Sequence, residues 1–283
     1  MANDVEKPFG AYALAGRRRQ LLRWAQSAPA GWLGRRAALI LRKAVLSNGP
    51  DIVDATVEGL KYRLYTRDNV SERKFLFMPQ FFDPYERARL KQTLFDGGVF
   101  VDIGANAGIY TLAAAPHVGA AGKVLAVEPN PAVLERLKFN IALNGFQGRV
   151  TVAPVGVSDA EGSFDLVLDD SNLGGSSLVA ARGANRITVE CRTLRALLAQ
   201  YGLEKIDALK IDIEGAEDKA LAPFFREAPE ALHSKLLILE NSPAAWKIDL
   251  PALLKDKGYA LEKTTHMNQV WVKSGQDRGA PPS

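Results

Sequence analysis

The feature that most constrains the fold is an apolar run, Val99–Ile103, that ends at a glycine and leads into a helical pattern over residues 107–116. A run of this kind, apolar on both faces, is typical of a strand buried in a parallel sheet. Similar strand patterns follow at 123–127 and 150–157, with a helical pattern at 131–143 between them. Strands that alternate with helices in this way predict an α/β fold on a doubly wound, mostly parallel sheet.

Strand and helix patterns alternate again towards the C-terminus. The last two strands are close in sequence, so we expect them to pair in an antiparallel manner at the edge of the sheet. The predicted strands are 206–212, 235–240, 259–263 and 270–273, and the predicted helices are 194–201, one from about 216, and 249–257.

The turn after the first core strand carries the pattern D-I-G-A-N-A-G, from Asp102 to Gly108. Gly104 permits a sharp turn and leaves space for a ligand to approach the backbone. Gly108 lets the next helix pack closely against the sheet. Asp102 lies at the carboxyl end of its strand, the edge at which open α/β sheets bind ligands. The segment therefore predicts a ligand-binding turn.

A second acidic residue, Glu128, ends the next strand and lies 20 residues beyond Gly108. A carboxylate at that position can accept hydrogen bonds from the ribose hydroxyls of a nucleoside, and Asn130 follows within reach. Nicotinamide cofactors prefer G-x-G-x-x-G, which offers backbone donors to a pyrophosphate, but Asn106 occupies the second glycine position here. Asp102 would also repel a pyrophosphate, whereas it could pair with a ligand amino group.

Four motifs give the sequence a resemblance to the FkbM family of class I methyltransferases, over about residues 94–241. The resemblance implies a Rossmann-like, mostly parallel seven-stranded sheet with an antiparallel last strand, and S-adenosylmethionine as cofactor. One departure is Arg195, where the family usually has an acidic residue. The motifs are V-D-I-G-A-N-A-G-I-Y-T, V-E-P-N-P, L-K-F-N-I-A-L-N-G and, most specific to the family, L-K-I-D-I-E-G-A-E.

The same resemblance assigns residues to the cofactor. It also matches an S-D pair after the third strand, expected near the adenine, and a G-G-S-S loop at residues 174–177, expected near the site. The residues expected to hold S-adenosylmethionine are Asp102, Gly104, Asn106, Gly108, Glu128, Asn130, Ser158 and Asp159.

Candidates for the chemical step lie at the ends of the fourth and fifth strands. Asp212 ends one and Glu240 the other, Lys210 shares a strand face with Asp212, and Glu214 follows at the helix entrance. His266, in the last loop, is a further candidate base. The alternative is a structural ion-pair cluster that fixes the joint between strand and helix. The carboxylates could also bind Mg²⁺, although the resemblance does not imply it and we predict no metal.

The sequence predicts a methyltransferase domain at 94–274, with an extension before it, an insert within it and a tail after it. Residues 1–93 predict an extension of basic helices within 1–45, a β-hairpin at 52–66 and a helix at 84–95 capped by Asp83. Residues 160–190 predict an inserted hairpin that carries a polar loop, and residues 275–283 predict a disordered, Pro-rich tail.

Charge is uneven along the chain. Residues 1–45 contain nine basic and two acidic side chains, a net +7, so the remainder of this +4 chain carries −3. The pI near 9.1 therefore belongs to the N-terminal arm and does not indicate nucleic-acid binding. We favour an arm that packs on the domain with its arginines in water; peripheral contact with anionic membranes is the alternative. The single cysteine, Cys191, excludes an internal disulfide. No signal-peptide core is present and no apolar run suffices to span a bilayer, so we predict a cytoplasmic protein.

The expected function is S-adenosylmethionine-dependent O-methylation. The FkbM resemblance implies that the acceptor is a hydroxyl on a sugar, a glycolipid or a secondary metabolite, and therefore a small-molecule or saccharide partner. Two alternatives stay open: a nicotinamide-dependent oxidoreductase, and a methyltransferase-like module that binds a cofactor or a membrane without turnover.

Overall fold

The structure is a computed structural model, and it describes residues 4–169, 172–176 and 185–275. The extension begins with two helices that pack on each other, followed by an antiparallel hairpin that turns at Glu58-Gly59 as predicted. A short helix that the sequence did not predict comes next. The elements of the extension are α1 (Gly16–Gln26), α2 (Trp32–Leu46), β1 (Ile52–Val57), β2 (Leu60–Tyr65), α3 (Val70–Phe77) and α4 (Pro84–Thr93).

The start of α4 corrects one prediction. Asp83 directly precedes the helix, but its side chain makes no capping hydrogen bond. Its backbone is left-handed, with φ of 44°, and its carboxylate accepts a hydrogen bond from the Tyr110 hydroxyl at 3.1 Å instead. The Asp83 side chain therefore ties α4 to the core and leaves the helix terminus uncapped.

The core alternation follows the sequence prediction closely. Asn130 caps the predicted helix that follows it, because its side-chain oxygen accepts a hydrogen bond from the Ala132 amide at 3.0 Å. The first core helix begins two residues later than predicted, since Gly108 at its N-terminus is left-handed. These elements are β3 (Val99–Ile103), α5 (Ile109–Ala114), β4 (Lys123–Val127), α6 (Pro131–Leu143) and β5 (Val150–Ala153).

The predicted third strand, 150–157, is two strands in two different sheets. Pro154 lies at the break, where a missing N–H cannot continue a ladder. The second piece pairs with the insert to form a three-stranded sheet, and the two long strands of the insert pair antiparallel. The strands of this sheet are β6 (Gly156–Val157), β7 (Gly162–Val167) and β8 (Arg186–Arg192). Of the polar loop, residues 172–176 are described, whereas Ser171 and Ser177 lie outside the described residues, as do residues 276–283 of the predicted tail.

The rest of the chain completes a seven-stranded sheet. It adds α7 (Leu194–Gln200), β9 (Ala208–Ile211), α8 (Glu217–Glu227), β10 (Leu236–Glu240), α9 (Leu250–Asp256), β11 (Tyr259–Thr264) and β12 (Asn268–Lys273). The strand order is β11-β12-β10-β9-β3-β4-β5, and β12 runs antiparallel between β10 and β11. The fold is therefore Rossmann-like, with a mostly parallel sheet and an antiparallel last strand, as predicted.

Apolar side chains form a core on each face of this sheet. On one side, Val101 and Ile103 belong to a cluster that continues into α7, α8 and α9. On the other side, Phe100 belongs to a cluster that runs without a break into the extension, where it includes Leu22 and Phe75. The extension and the sheet thus share one core. Within the described residues, no helix is both long and apolar enough to cross a membrane.

Candidate active site

The carboxyl ends of β3, β4, β9 and β10 meet at one edge of the sheet. A cavity of about 260 Å³ opens there, lined by Gly104, Glu128, Asp212, Glu214 and Glu240 among others. A second chamber of about 180 Å³ adjoins it and shares Gly104, Asp212 and Glu240. We call the two chambers together the crevice. It lies where the strand order reverses, the usual ligand site of open α/β sheets.

Two glycines of the D-I-G-A-N-A-G turn are required by close packing. Gly104 has φ of +74°, and a Cβ there would lie 1.9 Å from the carbonyl oxygen of Asp212 on the neighbouring strand. Gly108 has φ of +92°, and a Cβ there would lie 2.7 Å from Cδ1 of Leu137 in α6. Gly104 lets two strand ends approach at the crevice, and Gly108 lets α5 pack against α6.

Asp102 lies behind the crevice rather than in its lining. It is fully buried, and its Oδ2 accepts a hydrogen bond from the Thr111 hydroxyl at 2.6 Å. Its Oδ1 has no hydrogen-bond partner and lies 3.9 Å from Nζ of Lys210. Burial raises the pKa of the Asp102 carboxyl, although Lys210 opposes that effect. Asp102 therefore does not contact the crevice directly. It acts through Lys210, whose ammonium group it helps to position.

Glu128 lines the cavity, as the nucleoside prediction requires. Its two carboxylate oxygens accept hydrogen bonds from the backbone N–H groups of Asn106 and Asn130, each at 2.9 Å. Burial raises the pKa of the Glu128 carboxyl to about 7. Each carboxylate oxygen can accept a second hydrogen bond, so two hydroxyl groups of a ligand can still be bound.

Asn106 lines both chambers in a left-handed conformation, with φ of 51°. Its side-chain oxygen accepts hydrogen bonds from its neighbour Ala107 and from the side chain of Asn69, both at 2.7 Å. Asn69 caps α3, so this contact joins the turn to the extension. Asn106 therefore fixes the shape of the turn.

Besides Asp102 and Gly108, three further residues predicted to hold the cofactor do not line the crevice. The Asn130 side chain caps α6 and donates hydrogen bonds to the carbonyl of Leu173 and the hydroxyl of Ser176, which holds the polar loop over the site. The Ser158 hydroxyl donates a hydrogen bond to the Asp159 carboxylate at 3.1 Å. Both residues directly follow residues 155–157, which line the cavity. Their predicted contacts with the cofactor remain predictions.

The carboxyl groups at the strand ends differ in charge. Lys210, which is buried, lies 3.1 Å from Asp212; burial alone would lower the lysine pKa, but Asp212 and Asp102 raise it. Burial, followed by repulsion from Asp212, raises the pKa of Glu214 to about 7. The same causes raise the pKa of Glu240 to about 9. At neutral pH Glu240 is therefore protonated.

Glu217 organises the loop that carries Glu214. One of its oxygens accepts hydrogen bonds from the Ile213 and Gly215 amides at 3.0 and 3.2 Å, and the other accepts one from the indole of Trp246 at 2.9 Å. The loop is strained, because Glu214 has φ of 55°. These hydrogen bonds of Glu217 were not predicted from the sequence, although the repeated acid of the E-G-A-E motif was the available signal.

The extension supplies one wall of the crevice, which the sequence did not predict. Val70 and Ser71 of α3 line both chambers. Arg136 of α6 anchors this helix, because its buried guanidinium pairs with Asp68 at 2.6 Å and with Glu72 at 2.9 Å. The position of α3, and with it the crevice wall, depends on this ion pair.

His266 is exposed and lines a separate depression of about 320 Å³ beside the crevice, whereas the next residue, Met267, lines both. The structure therefore brings Asp212, Lys210 and Glu240 together but leaves His266 outside. Within 4–169, 172–176 and 185–275, no group of three or more His, Cys, Asp or Glu side chains is arranged to hold a metal ion.

Comparison with known proteins gives a family match. The model of the methyltransferase FkbM domain matches residues 102–266, more than half of the chain. Methyltransferase sdnD of Sordaria araneosa is 29% identical over 250 residues, which cover 77% of this chain and 92% of that protein.

Two further matches are more partial. The AMB antimetabolite synthetase AmbE of Pseudomonas aeruginosa is 28% identical over 257 residues, which cover 74% of this chain but only 11% of AmbE. The crystal structure of the methyltransferase FkbM from Methylobacillus flagellatus KT is 17% identical, with a TM-score of 0.42, over 71% of this chain and 52% of that one.

Proposed function

The chain belongs to the FkbM methyltransferase family, and from that premise we propose that it binds S-adenosylmethionine in the crevice and methylates a hydroxyl oxygen of a small-molecule or saccharide acceptor. One observation carries the proposal. Glu128, the expected partner of a ribose, and three more carboxyl groups, those of Asp212, Glu214 and Glu240, line a single cavity at four adjacent strand ends.

The lining of the cavity fits this cofactor. Glu128 offers acceptors for ribose hydroxyls, and apolar side chains beside it suit the adenine ring. The nearby carboxyl groups favour a cationic ligand and would repel the pyrophosphate of a nicotinamide cofactor. When bound, S-adenosylmethionine supplies an electrophilic methyl group on a positively charged sulfur. The apolar lining residues are Val127, Val155, Val157, Leu166 and Leu173.

We assign proton uptake from the acceptor to Asp212. It lines both chambers, and Lys210 lies 3.1 Å from its carboxylate and holds it in place. A base within hydrogen-bond reach of a hydroxyl contributes about 10²–10⁴-fold to a rate. Protonated Glu240 instead donates a hydrogen bond to the acceptor, because its pKa near 9 leaves it without an acidic charge at neutral pH.

The polar edge of the crevice supports a polyhydroxylated acceptor. Asp212 and Glu240 face both chambers, and Glu214 lines the larger one, so several hydroxyl groups of one molecule can be bound together. Alignment of one of them against the methyl donor accounts for the larger part of the acceleration that we expect.

A screen of candidate acceptors tests the proposal. The full chain is incubated with S-adenosylmethionine and panels of sugars, glycolipids, phenols and amines, and release of S-adenosylhomocysteine is measured. We expect release with at least one hydroxyl acceptor and none with amines. Turnover confined to amines would contradict oxygen methylation. Binding of the cofactor with no turnover on any acceptor class would favour a module without catalysis.

A further inference from the structure

The two N-terminal helices carry a surface of one charge. Residues 16–46 contain eight basic and no acidic side chains. None of the eight forms an ion pair with another residue in the described part of the chain. All but one are exposed, and Arg42 is half-buried. The charge of this surface therefore faces solvent uncompensated.

The same two helices expose large apolar side chains. Trp32, Leu33 and Ile40 of α2 are 66%, 74% and 69% exposed, and Trp24 of α1 is 54% exposed. Positions 33, 37, 40 and 44 recur at helical spacing and are all exposed, so they form one apolar stripe along α2. Arg36 stacks on Trp32 at 4.9 Å and lies beside the stripe. We call this stripe, with the exposed Trp32, Arg36 and Lys43 that flank it on α2, the N-terminal face.

A packing arm does not account for this face. The packing of α2 uses another side of the helix, where Gly34, Ala38 and Val45 are buried. Solvation explains exposed arginines but not exposed Trp, Leu and Ile side chains in a row. Nucleic acids bind through charge and do not require the apolar stripe. A twofold contact with a second copy would bring two basic surfaces together.

We propose that the N-terminal face docks on the surface of an anionic lipid bilayer. The basic side chains bind anionic headgroups while Trp32, Leu33 and Ile40 enter the boundary between headgroups and acyl chains, as amphipathic interfacial helices do. Neither interaction depends on the methyl acceptor, so docking can be tested apart from the proposed function.

Docking would also bring the crevice close to lipid. Arg35, on the far side of α2 from the stripe, lines the 320 Å³ depression together with Lys74, Asp83 and Met267. The last three residues also line the second chamber of the crevice. One helix, about 10 Å in diameter, therefore separates the docking face from the entrance to the site.

Vesicle sedimentation tests the proposal with the full chain. We expect binding to phosphatidylcholine vesicles that contain about 30% phosphatidylserine, and none to pure phosphatidylcholine. The double variant Leu33→Ser/Ile40→Ser should lower the partition coefficient at least about tenfold, and Arg36→Gln/Lys43→Gln should lower it at low salt. The control Ile248→Ser/Leu261→Ser removes apolar side chains that are 42% and 45% exposed elsewhere and should bind like the wild type.

Each remaining outcome overturns the proposal. Recovery of the wild type in the supernatant with both kinds of vesicle would overturn the proposal. Equal binding of the wild type and Leu33→Ser/Ile40→Ser would also overturn it. A dimer in size-exclusion chromatography that this variant dissolves would assign the face to a second copy. Binding to a single-stranded RNA but to neither vesicle would assign it to nucleic acid. All changed side chains are exposed, and equal unfolding temperatures check that the variants fold.

Discussion

The titratable residues of the crevice differ in charge, although most of them are carboxylic acids. Burial raises the pKa of Glu128 and Glu214 to about 7 and that of Glu240 to about 9. Lys210, held by Asp102 and Asp212, is the cation among them. The site thus combines a neutral acid, a lysine-paired carboxylate and two groups that change charge near neutral pH, which is the kind of separation that acid–base chemistry uses.

We predict that Glu240→Gln stabilises the protein at alkaline pH. A folded pKa of about 9 against an unfolded value of 4.5 means that the wild type loses stability as pH rises from 4.5 to 9, because only the unfolded chain gives up its proton. The amide cannot ionise and avoids this loss, so the variant should gain about 4 to 5 kcal/mol over the wild type at pH 8 and under about 1 kcal/mol at pH 5. Urea unfolding at both pH values measures the difference. The exposed Glu204→Gln should show no pH-dependent gain, and a constant difference for Glu240→Gln would contradict the assignment.

We predict that Asp212→Asn slows turnover without loss of cofactor. The amide keeps the shape of the side chain but cannot accept a proton, so kcat should fall at least about 100-fold. Affinity for S-adenosylhomocysteine should change less than about threefold, since the ribose contact is assigned to Glu128. Steady-state kinetics and calorimetry separate the two effects, with the exposed Asp256→Asn as control. An unchanged kcat would remove Asp212 from the chemical step.

The sequence located Gly104, Glu128, Asp212 and Glu240 because each follows or ends a predicted parallel strand, and all such ends share one edge. It could not assign the contacts of Asn130 with the polar loop or the role of Glu217, because both depend on which groups a neighbouring loop presents to them. His266 illustrates the same limit. Its position in a loop between two strands does not determine which side of the sheet edge its ring occupies.

Among the elements, α3 was the one most clearly missed. It has eight residues and no sustained apolar period, and its buried Glu72 resembles a surface residue in sequence. Its stability comes from tertiary contacts, above all with Arg136. The fifth and sixth strands were predicted as one, although Pro154 between them was an available signal, because the sequence does not show that they pair with different strands.

We predict that Arg136→Ala destabilises the protein by about 3 kcal/mol, because it leaves the buried Glu72 carboxylate unpaired. It should also raise the KM for the cofactor or acceptor, since α3 forms one wall of the crevice. Denaturant unfolding and steady-state kinetics measure these effects. Lys138→Ala, on the same helix but in an exposed pair with Glu135, should cost under about 0.5 kcal/mol. Equal costs for the two variants would show that the buried pair does not anchor α3.

At the scale of the whole molecule, the extension and the sheet share a core. The sequence placed a domain boundary at residues 93–94, on composition and on the start of the alternation. The apolar cluster that contains Phe100 continues past that point into α1, α3 and the hairpin. The periodicity of a sequence indicates which residues are buried but not which residues they pack against. The sequence therefore could not show that this core continues across the predicted boundary.

We predict that the chain unfolds in one cooperative transition and that residues 94–275 alone do not fold. Removal of the extension would expose the cluster around Phe100 and Leu112 and delete one crevice wall. Far-UV circular dichroism and tryptophan fluorescence should therefore give the same transition for the full chain, and the fragment should show no cooperative transition. Two separate transitions, or a cooperatively folded fragment, would make the extension an independent unit.

The most direct test of the account is calorimetric titration of the full chain with S-adenosylhomocysteine. We predict binding to the wild type, no binding of NADH, and at least about tenfold weaker binding to Glu128→Gln, which is about 1.4 kcal/mol for the contact between Glu128 and the ribose. Glu135→Gln, an exposed change on α6, should bind like the wild type. Equal affinity of wild type and Glu128→Gln, or binding of NADH in place of S-adenosylhomocysteine, would contradict the assignment of the crevice.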